Sequence, residues 1–187
     1  MNSIIGKSIN LELVVEEDLE LIRRWRNSEE VSKYMLSNSF ISISDQQLWY
    51  EKIKKSKYFL YWMIYSKNGD KLGVAYFKTL DEEKYIFEPS LYLGQLESRN
   101  SIYGIEAYYL ILNFVFSNFK SALVKGKVYS GNYPAIKMNN SFGFKQDKKF
   151  NQNSGLVDEN LSILNVELTS KDFYKSRLAV YFKKVLS

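Results

Sequence analysis

The sequence predicts an α+β fold: a mixed, mostly antiparallel central sheet flanked by helices. Three observations carry that reading. Strand signals follow one another over residues 58–93 with no helix between them, which makes an antiparallel meander. A helix that is apolar on nearly all sides follows at residues 101–119, and such a helix has to be buried against a sheet. Another strand signal, at residues 122–129, comes directly after it.

The elements follow in order. Residues 8–14 (SINLELV) alternate, placing Ile9, Leu11 and Leu13 on one face of a half-buried strand. Glu16, Glu17 and Asp18 open a helix, where acidic side chains suit the positive end of the dipole. That helix carries Leu19, Ile22 and Trp25, and a second helical segment past Ser28 carries Val31, Tyr34 and Met35. A polar loop at 37–44 leads to a helix over about 45–55 with Leu48, Trp49 and Ile53. In the meander, strands at 58–66 and 71–79 are joined by Asn68-Gly69, a two-residue hairpin signal. The third strand spans 84–93, after a turn at 81–83. The long helix bears Ile102, Ile105, Leu110, Ile111, Leu112, Phe114, Val115 and Phe116. Asn132 is a natural N-cap for a short helix over 132–141, with Pro134 in its first turn and Gly143 as its stop. Residues 144–150 and 161–169 read as a last strand pair around a polar loop at 151–160, and a helix over about 172–186 closes the chain. The order is β-α-α-α-β-β-β-α-β-α-β-β-α, in a single domain over residues 1–187.

Composition narrows the chemistry. With 187 residues, 45% apolar and 25% charged, the chain has the makeup of one soluble globular domain. It lacks any run of the roughly 20 uncharged apolar residues that spans a bilayer, and its start lacks the apolar stretch of a secretory signal. There is no Cys, which removes disulfides, thiol nucleophiles and thiolate metal sites. There is no His, which removes Ser-His-Asp catalysis and imidazole acid–base work. No metal site is expected, and the default compartment is the cytoplasm. The net charge of +5 is mostly Lys; Arg stands only at 23, 24, 26, 99 and 177. Dispersed Lys reads as a solvated surface and not as a nucleic-acid interface, which favours clustered Arg.

Two junctions are candidates for function. The first runs from the third meander strand into the long helix: Leu91-Tyr92-Leu93-Gly94, then Arg99-Asn100-Ser101-Ile102-Tyr103-Gly104-Ile105. A helix start offers unpaired N–H groups to an anion, Arg99 adds charge, and Gly104 lets the backbone approach a ligand. The second is Asn132-Tyr133-Pro134-Ala135-Ile136 with Phe142-Gly143-Phe144. Each taken alone reads first as an ordinary strand-to-helix turn or a well-capped helix.

Taken together, the two stretches resemble the GCN5-related N-acetyltransferase (GNAT) superfamily over roughly residues 8–169. The family's pyrophosphate loop, [QR]-x-x-G-x-[GA], is matched by Arg99 to Gly104, with Ile102 where the first Gly stands. Arg26-Asn27, Val31, Tyr34-Met35, Phe40-Ile41-Ser42 and Gln46-x-x-Trp49 look like the members that acetylate nucleotide-linked amino sugars, of the pseudaminic acid pathway type. Gln46 stands where such segments often carry His.

The resemblance implies a fold with a splayed strand pair. Acetyl-CoA would lie in the split between the third meander strand and the strand after the long helix. Main chain at Leu91 and Leu93 would pair with the pantetheine arm, Arg99, Asn100, Ser101, Ile102, Tyr103, Gly104 and Ile105 would hold the pyrophosphate, and Asn132 would touch the arm. An amine attacks the thioester directly, so no Cys or His is needed. Glu88 is the expected base. The family's Tyr acid falls on Asn139, which carries no ionisable proton; Tyr133, Tyr92, or unaided departure of the thiolate are the alternatives. Arg26 would meet a substrate phosphate, while Tyr34, Met35, Phe40 and Trp49 pack on base or sugar. The acceptor is a small-molecule amine, with neither nucleic acid nor membrane as partner, and the protein is a monomer or homodimer. A protein or peptide N-acetyltransferase and a non-catalytic acyl-CoA-binding module are the competing readings.

Overall fold

The alternating segment near the start is strand β2 (Ile9–Leu13), in which Ile9 and Leu11 are fully buried. A strand not anticipated from sequence, β1 (Ser3–Ile5), pairs with it antiparallel. Three residues are too few to show a period. The protein is seen here in a computed structural model, which describes residues 3–99, 101–119, 122–147, 156–158 and 161–186.

A 3-10 turn (Glu16–Asp18) leads into α1 (Leu19–Asn27), α2 (Glu29–Ser32) and α3 (Ile43–Lys55). Helix α3 starts two residues earlier than expected because Ser42 caps it. The Ser42 hydroxyl accepts from the Asp45 amide, and the Asp45 carboxylate accepts from the Ser42 amide, both at 3.1 Å. The meander is β3 (Phe59–Ser66), β4 (Lys71–Asp81) and β5 (Ile86–Leu93). It feeds α4 (Tyr103–Asn118), β6 (Leu123–Tyr129) and α5 (Tyr133–Ser141).

The C-terminal part departs from expectation in three places. The strand predicted at 144–150 is the two-residue β7 (Lys145–Gln146), with 148–150 outside the described residues. The segment read as a polar loop contains β8 (Leu156–Asp158), which pairs with β9 (Leu161–Thr169). The closing helix is two helices, α6 (Ser170–Lys175) and α7 (Arg177–Leu186). They part at Ser176, whose ψ of 151° is extended and whose hydroxyl accepts from the Ala179 amide at 3.3 Å.

The sheet is mixed and mostly antiparallel, and helices flank it. The chain divides into two compact units, Met1–Lys78 with Ser90–Ile111, and Thr79–Pro89 with Leu112–Ser187. Strands of the first unit neighbour one another in the order β1-β2-β3-β4-β5. Its core gathers Val14, Leu19, Ile22, Trp25, Val31, Tyr50, Met63, Val74 and Tyr92. One buried charge secures it. Glu106, in the first turns of α4 and 1% exposed, accepts from the amides of Lys7 and Ser8 in the β1–β2 turn. Lys67 ties down the same turn through the Gly6 carbonyl at 2.7 Å and Asn10 Oδ1 at 2.6 Å. A second buried acid, Asp18, meets Lys71 Nζ at 2.6 Å.

In the second unit the order is β5-β6-β9-β7, with β8 on β9. Strands β5 and β6 run parallel and pair only at Ile86 with Leu123 and at Phe87 with Val124. Phe173 is fully buried and packs against Phe116 and Phe142, ring centroids 5.2 and 6.2 Å away. Gly143 stops α5 at φ +88°, and a Cβ there would lie 2.9 Å from the Asp172 carbonyl oxygen, so only glycine fits this corner against α6. Among the described residues no helix is long and apolar enough to cross a membrane.

Glu106→Ala leaves two amides without their charged acceptor and is expected to lower the unfolding free energy by about 2–3 kcal/mol, with Glu106→Gln milder, as read by urea denaturation. Asp18 raises the pKa of Lys71 above the ordinary lysine value. The stability this pair adds is therefore whole below about pH 10.4 and lost as pH climbs through the raised value. Asp18→Asn should abolish that alkaline decline in melting temperature.

Candidate functional site

The first unit contributes a strand end, a braced loop and a helix start. Leu91 and Leu93 project from one face of β5, and Tyr92 from the other into the core. A Cβ on Gly104 would stand 3.3 Å from Leu93 Cδ1 and 3.9 Å from Leu91 Cδ1. The glycine thus lets the start of α4 lie close to the Leu93 and Leu91 side chains of β5. Glu106 makes the first helical bond of α4, to the Ile102 carbonyl at 2.8 Å. The Tyr103 amide is taken by Ser101 Oγ at 3.2 Å, and that hydroxyl donates to the Ser98 carbonyl. The amides of Gly104 and Ile105 therefore precede the helical ladder and stand as its leading donors. Ile102, the departure from the loop pattern, is 40% exposed, so its bulk displaces solvent and not core. Asn100 lies outside the described residues.

Arg99 is half-buried and braces this loop. Its Nε donates to the Leu93 carbonyl at 3.2 Å and its Nη1 to the Glu30 carbonyl at 3.3 Å. These bonds use two of five guanidinium protons and fix the position of the positive charge.

The expected acceptor residues separate into two groups. Met35 and Trp49 pack against the core, Trp49 edge-on to Tyr61 with centroids 5.0 Å apart. Tyr34 and Phe40 are exposed, Phe40 by 75%. Arg26 donates to the Ser37 carbonyl at 3.3 Å and sits 6.0 Å from the centroid of the Tyr92 ring. Burial pushes the Tyr92 phenol above its ordinary pKa, with the Arg26 charge opposing. A phenol held that firmly to its proton makes a poor acid for a departing thiolate.

Phe40, Arg23, Ser42, Ile43, Ser44 and Gln47 line an open depression, and the carboxylates of Asp45 and Glu16 accept from Ser42 and Gln47 at its edge. Arg23 is held in it by Glu20, at 2.8 and 2.9 Å. Two residues matter here that the sequence marked only as part of a pattern and gave no role. Asn27 donates to the Ile41 carbonyl and accepts from the Ile41 amide, each at 2.8 Å, which pins the loop ahead of α3. Gln46 is 5% exposed, and its Nε2 has no partner among the described residues. An Asn directly before Ser at a helix end was the signal for the first; a Gln one turn before a buried Tyr50 was a faint signal for the second.

The second unit holds the remaining residues. Glu88, half-buried, directly follows the last β5 residue that pairs with β6. Pro89 comes next and has no N–H to continue the ladder. Asn132 caps α5 as its sequence implies, its side-chain oxygen accepting from the Ala135 amide at 3.2 Å and its NH2 left to donate. Asn139 is 8% exposed, and its carbonyl accepts from the Phe142 and Phe144 amides. Tyr133 is 75% exposed. Among the described residues, no three acidic side chains are grouped to hold a metal ion.

Comparison with known proteins agrees with this architecture. The family model for the acetyltransferase (GNAT) domain matches residues 8–145. No curated protein sequence matches the chain at a significant level. Among solved structures, spermidine N-acetyltransferase from Vibrio cholerae, in complex with CoA and spermine, is similar at TM-score 0.80 and 11% identity, over 90% of this chain and 99% of that one. A GCN5-related N-acetyltransferase from Brucella melitensis is similar at 0.75 and 18%, over 99% and 85%. The aminoglycoside acetyltransferase AAC(6')-Ib, in complex with coenzyme A, is similar at 0.71 and 16%, over 91% and 99%. At these identities the likeness is one of fold.

Arg99→Ala removes two bonds to carbonyls and is expected to destabilise the protein by about 1–3 kcal/mol. Arg99→Lys should restore little of this, because an ammonium cannot fork between the two acceptors. Thermal melts of the three proteins would read the difference.

Proposed function

The chain belongs to the acetyltransferase (GNAT) domain family, and we propose that it moves the acetyl group of acetyl-CoA to a primary amine on a nucleotide-linked amino sugar. The family is one of acetyl-CoA-dependent N-acetyltransferases; the acceptor is our reading. The observation that carries it is the depression lined by Arg23, Ser42, Ser44 and Gln47 with Phe40 and Ile43. Spermine and an aminoglycoside are polycations, whereas the one charged side chain among the residues lining the depression is the cation Arg23. Hydroxyl and amide groups suit a sugar, the exposed Phe40 ring suits a base, and Arg26 lies at the Ser37 end of the same loop for a phosphate.

The cofactor residues have distinct tasks. Main chain at Leu91 and Leu93 pairs with the amides of the pantetheine arm. The Gly104 and Ile105 amides, at the positive end of α4, take the pyrophosphate, and Arg99, Ser101, Ile102 and Tyr103 shape the loop around it. Asn132 offers its NH2 to the arm.

The amine must lose a proton to attack. A free amine is mostly protonated at neutral pH, so Glu88 takes that proton directly or through water. Nitrogen then bonds to the thioester carbonyl carbon, the carbon–sulfur bond breaks, and the nitrogen gives up its second proton to water. Asn139 can donate a hydrogen bond to sulfur but no proton, and Tyr92 is too weak an acid. A thiolate with a pKa near 8.5 leaves without an enzyme acid and takes its proton from water. A second reading, a peptide amine as acceptor, rests on the openness of the same depression and the 75% exposure of Phe40.

Incubation with acetyl-CoA and a panel of UDP- and dTDP-amino sugars, spermidine, kanamycin and a basic peptide tests the acceptor. One acetyl gained by a nucleotide sugar alone supports the reading; acetylation of the polyamine or the peptide in preference overturns it. Glu88→Gln should lower kcat by about 10²-fold, most steeply at acid pH, where the amine is most protonated.

A further inference from the structure

One face of the first unit's sheet carries a group of tyrosines outside the cofactor residues. Met63, Val74 and Tyr92 meet in the core on that face. Tyr61 and Tyr76 stand two residues from Met63 and Val74 on β3 and β4, so they project to the same side. They are directly opposite each other in the ladder, and their rings stack with centroids 4.6 Å apart and planes 19° apart. Trp49 of α3 closes on Tyr61 edge-on. Both rings of the stack are half-buried, so part of this platform is open to solvent.

Two groups beside the platform lack the partner their chemistry calls for. Tyr92 is 9% exposed, and its hydroxyl enters no hydrogen bond among the described residues. A buried phenol ordinarily finds one. Burial holds Tyr92 to its proton, and Arg26, Tyr76 and Tyr61 are the groups near enough to act on it, so it is a donor facing the platform with no acceptor. Arg26 is half-buried and forms no ion pair among the described residues. It reaches in two directions, to the Ser37 carbonyl of the loop and over the Tyr92 ring.

An aromatic platform, an empty buried donor and an unpaired cation suit a polar ring that carries a phosphate. We propose that the amino-sugar ring of the acceptor seats here, with its C–H face on the Tyr61–Tyr76 stack, a polar ring substituent accepting from the Tyr92 hydroxyl and its phosphate on Arg26. This rests on the nucleotide-sugar reading above and extends it: the depression takes the nucleoside, and Arg26 joins it to the platform. Tyr92 is a specificity-determining residue. An acceptor without the matching group leaves the phenol buried and unpaired, which is how such a site rejects a deoxy analogue. A protonated polyamine offers the phenol no acceptor and meets the Arg26 charge.

Tyr92→Phe tests this, with UDP-linked amino sugars and their monodeoxy analogues as acceptors. The variant keeps the ring and removes only the unpartnered hydroxyl, so its melting temperature should hold or rise. Its kcat/KM for the parent sugar is expected to fall by about tenfold or more, with KM for acetyl-CoA unchanged. The wild type should reject one deoxy analogue by a similar factor, and the variant should treat that analogue and its parent alike; this cycle identifies the substituent. Tyr76→Leu should raise KM for each sugar acceptor and leave that for acetyl-CoA unchanged. A lowered melting temperature with unchanged kcat/KM would make Tyr92 a packing residue and overturn the proposal, as would equal discrimination by wild type and variant. Failure of the acceptor reading looks different: the wild type then acetylates no nucleotide sugar at all, and the sugar seat falls with it.

Discussion

Two residue pairs join β5 to β6, and the ladder ends there. A parallel ladder needs an N–H from alternate residues, and Pro89 has none to give. Strand β6 tolerates the loss because β9 pairs with it along its whole length, from Leu123 opposite Thr169 to Tyr129 opposite Ile163. Past Val124 the flank of β6 turned away from β9 thus carries main-chain groups that no strand among the described residues takes up. Such groups call for water or a ligand. Glu88 is the first β5 residue beyond the pairing.

In the first unit, polar side chains do the holding that apolar packing cannot. Arg99 fixes the loop before α4 through two carbonyls, and Glu106 anchors the same helix through two amides. The charges have opposite sign, and each is bonded to main chain and not to the other. Helix α4 is thereby positioned by directional bonds near its start and by burial of Ile111, Leu112 and Val115 further along. Hydrogen bonds set where the Gly104 and Ile105 amides lie, and the hydrophobic effect alone would leave that loosely defined.

Much of the architecture was legible in the residues. The meander, the Asn68-Gly69 turn, the buried helix and the Asn132 cap follow from period and turn chemistry, which act over a few neighbours. What escaped were features decided at a distance. Strand β1 exists because β2 offers it an edge, and β8 because β9 does. The break at Ser176 has no Pro or Gly to announce it; an extended ψ and a serine cap make it. The missing side chain of Gly104 was visible in the sequence, but not that Leu93 packs beside it. Glu106 was the missed clue, a lone acid in an otherwise apolar helix. Pro89 was visible too, and its meaning depended on learning which strand lay alongside.

The family match at residues 8–145 is a boundary in sequence, and the molecule does not respect it. At one end it discards Lys7, whose amide is half of the cradle for Glu106. At the other it discards α6, against which the Gly143 corner is fitted. A protein trimmed to that window would leave Glu106 with the Ser8 amide alone and the glycine bend without its partner helix. The minimal unit of folding here is wider than the minimal unit of kinship.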